Sequence, residues 1–201
     1  MSRTTLMPRA RYLAPSAAFA ALLLSAPALL ALHFRDGPPA RVTGGFGEDS
    51  CAACHFGNEL NESRGQLMLA GFPGLYEPGA TYALELALAR PGMAVAGFQL
   101  AIRSDPDRAQ AGTIAMPEAE ASHTGVVTER GLQFAQHRLA RSAPAAEGIV
   151  RWKLTWTAPE TGGRVVLHAA AVAGDGDESQ AGDHVYTLAA VSTALKGDAS
   201  H

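Results

Sequence analysis

The sequence predicts an all-β protein, an antiparallel β-sandwich of the immunoglobulin-like class. From about residue 65 onwards, apolar residues recur at every second position in short segments, which is the period of a half-buried strand. The segments succeed one another at intervals of about ten residues, as strands do in a sandwich. The 201-residue chain contains 21 Gly and 12 Pro, and many of them fall between the segments, where they favour turns.

Two segments show the alternation most clearly. In residues 81–89, Tyr82 and three leucines share one face, and in residues 149–157 Trp152, Leu154 and Trp156 share one face. We expect both faces to point into the core, because large apolar side chains gain most from burial. The other predicted strands are residues 65–69, 94–103, 112–116, 131–139, 164–173 and 184–192.

The N-terminal residues are typical of an export signal. Three arginines and no acidic residue precede an apolar run at 13–34. Ala26-Pro27-Ala28 offers a cleavage site for a signal peptide, but the run is also long enough for an uncleaved membrane anchor helix. Both alternatives export the C-terminal domain to the periplasm, a periplasm-facing membrane or the cell surface. The expected organisation is residues 1–34 signal or anchor, 35–62 linker and attachment segment, 63–193 sandwich and 194–201 tail.

The sequence Cys51-Ala52-Ala53-Cys54-His55 contains both cysteines of the chain. C-x-x-C-H is the attachment pattern of c-type haem: the two thiols form thioethers with the haem vinyl groups, and the adjacent imidazole binds iron. We therefore expect one covalent haem c, held by Cys51 and Cys54, with His55 as the proximal iron ligand. A redox dithiol, a plain disulfide and a zinc site are the alternatives.

A haem that only transfers electrons usually has a second protein ligand on its iron. His137, at the end of a predicted strand, is the first candidate for this distal position. An iron without a second protein ligand is one alternative, and another side chain with a nitrogen or sulfur donor is the other. The candidate side chains are His123, His168, His184, Met68, Met93 and Met116. His33 and His201 are poor candidates, because His33 lies in the signal region and His201 is the last residue.

The charge pattern argues against nucleic acid as a partner. The net charge is −3, and no basic run occurs after the first dozen residues, so nucleic acid is not an expected partner. An acidic segment at 175–183 carries carboxylates at short spacing, which is compatible with calcium, although the ligand positions of an EF-hand are missing. A solvated hairpin loop is the alternative interpretation of this segment.

Several short stretches resemble a known family. They occur in order along most of residues 44–192, and they include the motif itself. The chain resembles bacterial exported proteins in which a C-x-x-C-H motif precedes a Reelin-type (Reeler, or choice-of-anchor) β-sandwich. The matching stretches are residues 44–55, 76–82, 97–100, 111–112, 152–159 and 182–187, together with His137.

The resemblance implies an immunoglobulin-like sandwich and an exported location, and His137 matches a histidine of the family pattern. It implies no particular reaction. The chain departs from the animal members, which carry disulfides in this domain, because no cysteine remains outside the motif.

Three functions fit the sequence. The first is an exported monohaem c-type cytochrome that passes single electrons between redox proteins of the periplasm or membrane, with residues 13–34 available for anchoring. The second is a Reelin-like binding or adhesion module at the cell surface, in which the haem is secondary or the two cysteines form a disulfide. The third is a haem enzyme or gas sensor with an open iron position. An electron-transfer protein is expected over an enzyme.

Overall fold

The computed structural model describes residues 37–138, 141–142 and 148–196, and within these residues it contains eleven strands and two short 3₁₀ turns. The predicted export segment, residues 1–34, lies outside the described residues. The strands are β1 (Gln66–Ala70), β2 (Leu75–Tyr76), β3 (Thr81–Ala89), β4 (Val95–Asp105), β5 (Thr113–Ala115), β6 (Thr124–Glu129), β7 (Leu132–His137), β8 (Arg141–Ser142), β9 (Ile149–Thr157), β10 (Arg164–Gly174) and β11 (His184–Ala194), and the 3₁₀ turns are Cys51–Ala53 and Glu118–Glu120.

The strands form two sheets. The smaller sheet has the order β1-β3-β9-β5, and the larger has the order β2-β11-β10-β4-β7-β6, with β8 paired to β4. Apart from the parallel contact between β2 and β11, the pairs are antiparallel. The predicted all-β sandwich is therefore confirmed. No helix among the described residues is long and apolar enough to cross a membrane.

The core lies between the two sheets. Trp152, Leu154 and Trp156 on β9 are at most 1% exposed, as the alternation of that segment predicted. The ring of Trp152 packs on Phe98 of β4, with the ring centroids 4.6 Å apart. The indole nitrogen of Trp156 donates to the carbonyl of Ala111 at 2.9 Å, so its polar atom is satisfied inside the core.

The outer face of the larger sheet is also covered. Gln99 and Arg103 lie on the face of β4 that points away from the core, yet Gln99 is fully buried and Arg103 is 3% exposed. Residues 38–50, here called the strap, cross this face. Gln99 accepts from the backbone N–H of Val42 and donates to the carbonyl of Pro39, at 2.7 and 2.9 Å.

A buried ion pair fixes the middle of the strap. Glu48 accepts from the guanidinium of Arg103 at 2.6 Å and from the hydroxyl of Thr43 at 3.0 Å. The Arg103 guanidinium also lies 4.3 Å from the ring centroid of Phe46. Removing one partner of a buried, hydrogen-bonded ion pair leaves an uncompensated charge, so this pair holds the strap in one register.

The differences from the predicted strands have local causes. Residues 124–129 form β6, which is not among the predicted strands, because Gly125 and only two consecutive valines give that segment no alternating pattern. Residues 75–76 form the short strand β2, which is also not among the predicted strands. Strands β3 and β9 have the predicted bounds, because their alternation is unbroken.

The contact between the strap and β10 can be tested at Gly45. A Cβ atom added there would collide with the imidazole of His168, which lies under the strap. We expect Gly45→Ala to lower the free energy of unfolding by about 1–3 kcal/mol, the usual cost of overpacking. Gly74→Ala is the control, because its added Cβ would meet no atom within 4 Å. Equal urea midpoints for the two variants would contradict the described contact.

Candidate functional site

The motif forms a 3₁₀ turn at the end of the strap. Ser50 begins the turn, and its hydroxyl accepts from the N–H of Ala52 at 3.2 Å. The backbone N–H groups of Cys54 and His55 both donate to the carbonyl of Cys51, at 3.2 and 2.9 Å. The two cysteines and the histidine are thus presented from one tight turn whose backbone groups are paired.

Cys51 anchors this turn on the outer face of the larger sheet. Its side chain is 8% exposed and packs on Ala170, Val172 and Val185 of β10 and β11. This burial, with a smaller contribution from the neighbouring Cys54, raises the pKa of the Cys51 thiol to about 12. A thiol that stays protonated at neutral pH is a poor nucleophile, which disfavours the redox-dithiol alternative.

His55 is fixed by a partner far away in the sequence. Its Nδ1 lies 2.5 Å from Oδ2 of Asp183, a residue that immediately precedes β11. Asp183 is 5% exposed and the His55 side chain is 30% exposed, so the carboxylate forms the buried end of the pair. With Nδ1 used in this way, Nε2 is the ring nitrogen left for a metal ion.

Hydrogen bonds connect the loop after the motif to the segment just before β11. Phe56 exchanges backbone hydrogen bonds with Gln180 and Gly182, at 3.0 and 2.8 Å. The amide nitrogen of Asn58 donates to the carbonyls of Gly182 and Asp183, at 2.7 and 3.1 Å. The backbone on both sides of the His55–Asp183 contact is therefore held in place.

A charged cluster holds the end of this loop. Glu62 accepts from the hydroxyl of Tyr186 at 2.8 Å and from Arg90 at 3.2 Å. Burial by itself would raise the pKa of Glu62, but the hydrogen bonds from Tyr186 and Arg64 outweigh it and lower the pKa to about 2. The carboxylate of Glu62 thus stabilises the folded loop while it is ionised.

The predicted distal ligand His137 lies over β4, on the same sheet face as the motif. A Cβ atom added to Gly97, on the outer face of β4, would lie 2.6 Å from its ring. Gly97 pairs with Val172, which pairs with Val185, and neighbouring strands are about 5 Å apart. His137 and Cys51 therefore occupy neighbouring parts of one face.

The hydrogen bonds of His137 restrict what it can bind. Its Nδ1 lies 3.0 Å from the N–H of Phe98 and 3.2 Å from the carbonyl of Phe98. If Nδ1 accepts from that N–H, the neutral ring carries its proton on Nε2 and offers no lone pair there. Only the tautomer that donates from Nδ1 to the carbonyl has an unprotonated Nε2. His137 as the distal ligand stays a prediction.

The other candidate ligands lie in different parts of the fold, and some of them have partners in the protein. Nε2 of His184 lies 2.6 Å from the guanidinium of Arg90, which can only donate, so this nitrogen is an acceptor. His168 is covered by the strap, and burial lowers its pKa, with Arg103 as a further cause. The three methionines contact the core or lie on the smaller sheet, and Nδ1 of His123 is buried without a hydrogen-bond partner.

Two carboxylates of the acidic segment accept hydrogen bonds from the backbone of their own loop. Asp175 accepts from the N–H of Asp177 at 3.0 Å, and Asp177 accepts from the N–H of Ser179 at 2.7 Å. Across residues 37–138, 141–142 and 148–196, no group of three His, Cys, Asp or Glu side chains is placed to hold a metal ion. These contacts favour a hairpin loop at residues 175–183 over a calcium site.

The motif is visible in the sequence, but its partner Asp183 is not. Asp183 is 128 residues from His55, and no local pattern connects them. The only signal was its position between Gly182 and the start of a predicted strand, which indicated the end of a loop and gave no partner.

The chain matches no model of a protein family and no curated protein. Among solved structures, the Reelin-N domain of F-spondin is 21% identical, with a TM-score of 0.50, over 73% of this chain and 96% of that one. The human F-spondin reeler domain is 20% identical (TM-score 0.47; 69% and 95% covered), and a Clostridium perfringens cohesin module is 13% identical (0.42; 65% and 96%). The first comparison shows a Reelin-type β-sandwich, and the likeness concerns the fold alone.

The difference in reactivity between the buried Cys51 thiol and the Cys54 thiol can be measured by thiol labelling of the haem-free, reduced protein. At about pH 8.5, the ordinary pKa of a free thiol, we expect Cys54 to be alkylated and Cys51 to be protected, because burial raises the pKa of Cys51 to about 12. Denatured protein, in which both thiols are exposed, is the control and should take two labels. Equal labelling rates in the native protein would contradict the packing of Cys51.

The Glu62 cluster predicts a pH dependence of stability. The folded pKa of about 2 lies below the ordinary 4.5, so the stabilisation is present above pH 4.5 and is lost as the pH falls towards 2. We expect Glu62→Gln to unfold at lower urea concentration at about pH 6 and to lose less stability on acidification than the parent protein. Glu59→Gln, which changes an exposed acid of the same loop, should show the same pH dependence of stability as the parent protein.

Proposed function

We propose that this protein is an exported monohaem c-type cytochrome that transfers single electrons. Cys51 and Cys54 hold the haem c through thioether bonds, and His55 is the proximal iron ligand. The observation that carries the proposal is the partner of His55: its Nδ1 is bound by Asp183, so Nε2 is the nitrogen that would bind the iron from within a C-x-x-C-H turn. Carboxylate partners of this kind are the usual means by which proteins fix a metal-binding imidazole.

The surroundings of the motif fit a flat apolar group. Ala170, Val172 and Val185 provide an apolar surface under Cys51, and Phe56 and Leu60 beside the motif are 57% and 50% exposed. Large apolar side chains exposed next to a binding motif are typical of a surface that something else covers. When bound, the haem supplies an iron that changes between the ferric and ferrous states by one electron.

The burial of Cys51 constrains haem attachment. A thiol that is 8% exposed against β10 and β11 is closed to the vinyl group of a porphyrin. Thioether formation at Cys51 therefore requires the attachment turn to move away from the sheet. The sandwich then serves as a scaffold that covers one side of the attachment turn and offers a docking surface to redox proteins of the periplasm or membrane.

A Reelin-like binding module is the second candidate, and the comparison with the F-spondin Reelin-N domain favours it. In that case the sandwich binds a partner at the cell surface, and the haem is secondary or the two cysteines form a disulfide. The two candidates differ in one observable, covalent haem. A haem enzyme or gas sensor, the third function that fits the sequence, requires an iron that lacks a distal protein ligand.

Covalent attachment tests the first candidate. We expect the protein, exported from a host that matures c-type cytochromes, to stain for haem on a denaturing gel and to show a sharp α-band when reduced. Cys51→Ala and Cys54→Ala should each weaken the stain, and the double variant should abolish it, because each thiol forms one of the two thioethers. Ser63→Ala is a control outside the motif. Colourless parent protein that binds no haem would contradict the proposal and favour the Reelin-like binding module.

The distal position is tested with carbon monoxide. If His137 occupies it, the reduced parent protein is six-coordinate and does not bind the gas, whereas His137→Ala binds it. His123→Ala is the matched control, since His123 precedes the residue paired with His137 on β6. Rapid binding of carbon monoxide by the parent protein would contradict His137 ligation and favour the open iron position of an enzyme or sensor.

A further inference from the structure

A short hydrogen bond between His55 and Asp183 connects the motif to the sandwich. Oδ2 of Asp183 lies 2.5 Å from Nδ1 of His55, within the range of strong charge-assisted hydrogen bonds. In a neutral imidazole that donates from Nδ1 to a carboxylate, the lone pair is on Nε2.

The carboxylate has little freedom to move. Asp183 is 5% exposed, and its backbone carbonyl is held by the side chain of Asn58 at 3.1 Å. On its other side, a Cβ atom added to Gly174 would lie 3.1 Å from Oδ1, so the side chain fills the space that this glycine leaves. A carboxylate confined in this way fixes both the orientation and the tautomer of its partner.

We propose that Asp183 is a positioning residue that lowers the reduction potential of the haem. It holds His55 in the Nδ1–H tautomer, directs Nε2 to the iron and, as an anion bonded to the ring, increases the electron donation of the imidazole. A more basic ligand stabilises ferric over ferrous iron. The potential is set in part by a residue of the β10–β11 loop, outside the attachment motif. This inference rests on the proposed haem attachment.

The potential of the haem-loaded protein tests this role. In Asp183→Asn the side chain keeps its shape but loses its charge. We expect its potential to rise by about 59 mV or more, which is a tenfold change in the ratio of reduced to oxidised haem for a one-electron couple. Asp107→Asn removes one negative charge from an exposed turn and should leave the potential near that of the parent. An unchanged potential in Asp183→Asn with haem attached overturns the proposal.

A second measurement uses the haem-free protein, so it does not depend on attachment. Nitrogen-15 chemical shifts of the His55 ring, recorded at neutral pH, should show Nδ1 protonated and Nε2 unprotonated. Asp183→Ala should shift the ring towards the other tautomer, whereas Asp107→Ala should not. An Nε2–H tautomer in the parent protein overturns the positioning role. If the shifts are as expected but no haem is attached in a maturing host, the proposed function and the effect on the potential fail, while the positioning of His55 by Asp183 stands.

Discussion

The hydrogen bond between His55 and Asp183 connects the attachment turn to the sandwich, and the site depends on it. The two residues are 128 positions apart, so only the folded chain brings them together. The bond occupies Nδ1 of the ring and leaves Nε2 as the nitrogen for a further ligand. The backbone bonds of Phe56 and the side chain of Asn58 then hold the flanking segments along the loop that contains Asp183. The chemistry of the motif is therefore specified by the fold as well as by five consecutive residues.

The strap explains why strand β4, in the middle of the larger sheet, is buried on both faces. A sandwich normally leaves the outer face of each sheet in water, where polar residues alternate with the apolar ones that face the core. Here Gln99 and Arg103 are polar residues of that outer face, and the strap pairs them with Val42, Pro39 and Glu48. The buried polar groups give the strap a single position, which in turn fixes where the turn at Cys51 begins.

Much of the fold could be predicted from the sequence, because alternation alone determines which side of a strand enters the core. Strands β3 and β9 were found with their bounds, whereas β6 was missed because Gly125 interrupts its pattern. The motif was equally visible, since its ligand types stand next to each other. Asp183 and the burial of Cys51 were not visible, because both arise from contacts between segments that meet only in the folded chain.

The most direct test of haem attachment at Cys51, Cys54 and His55 is a crystal structure of the protein exported from a host that matures c-type cytochromes. We expect electron density joining both cysteines to one haem, iron bound to Nε2 of His55, and Nδ1 of His55 still bonded to Asp183. A disulfide between Cys51 and Cys54 with no haem, or iron held by a residue other than His55, would contradict it.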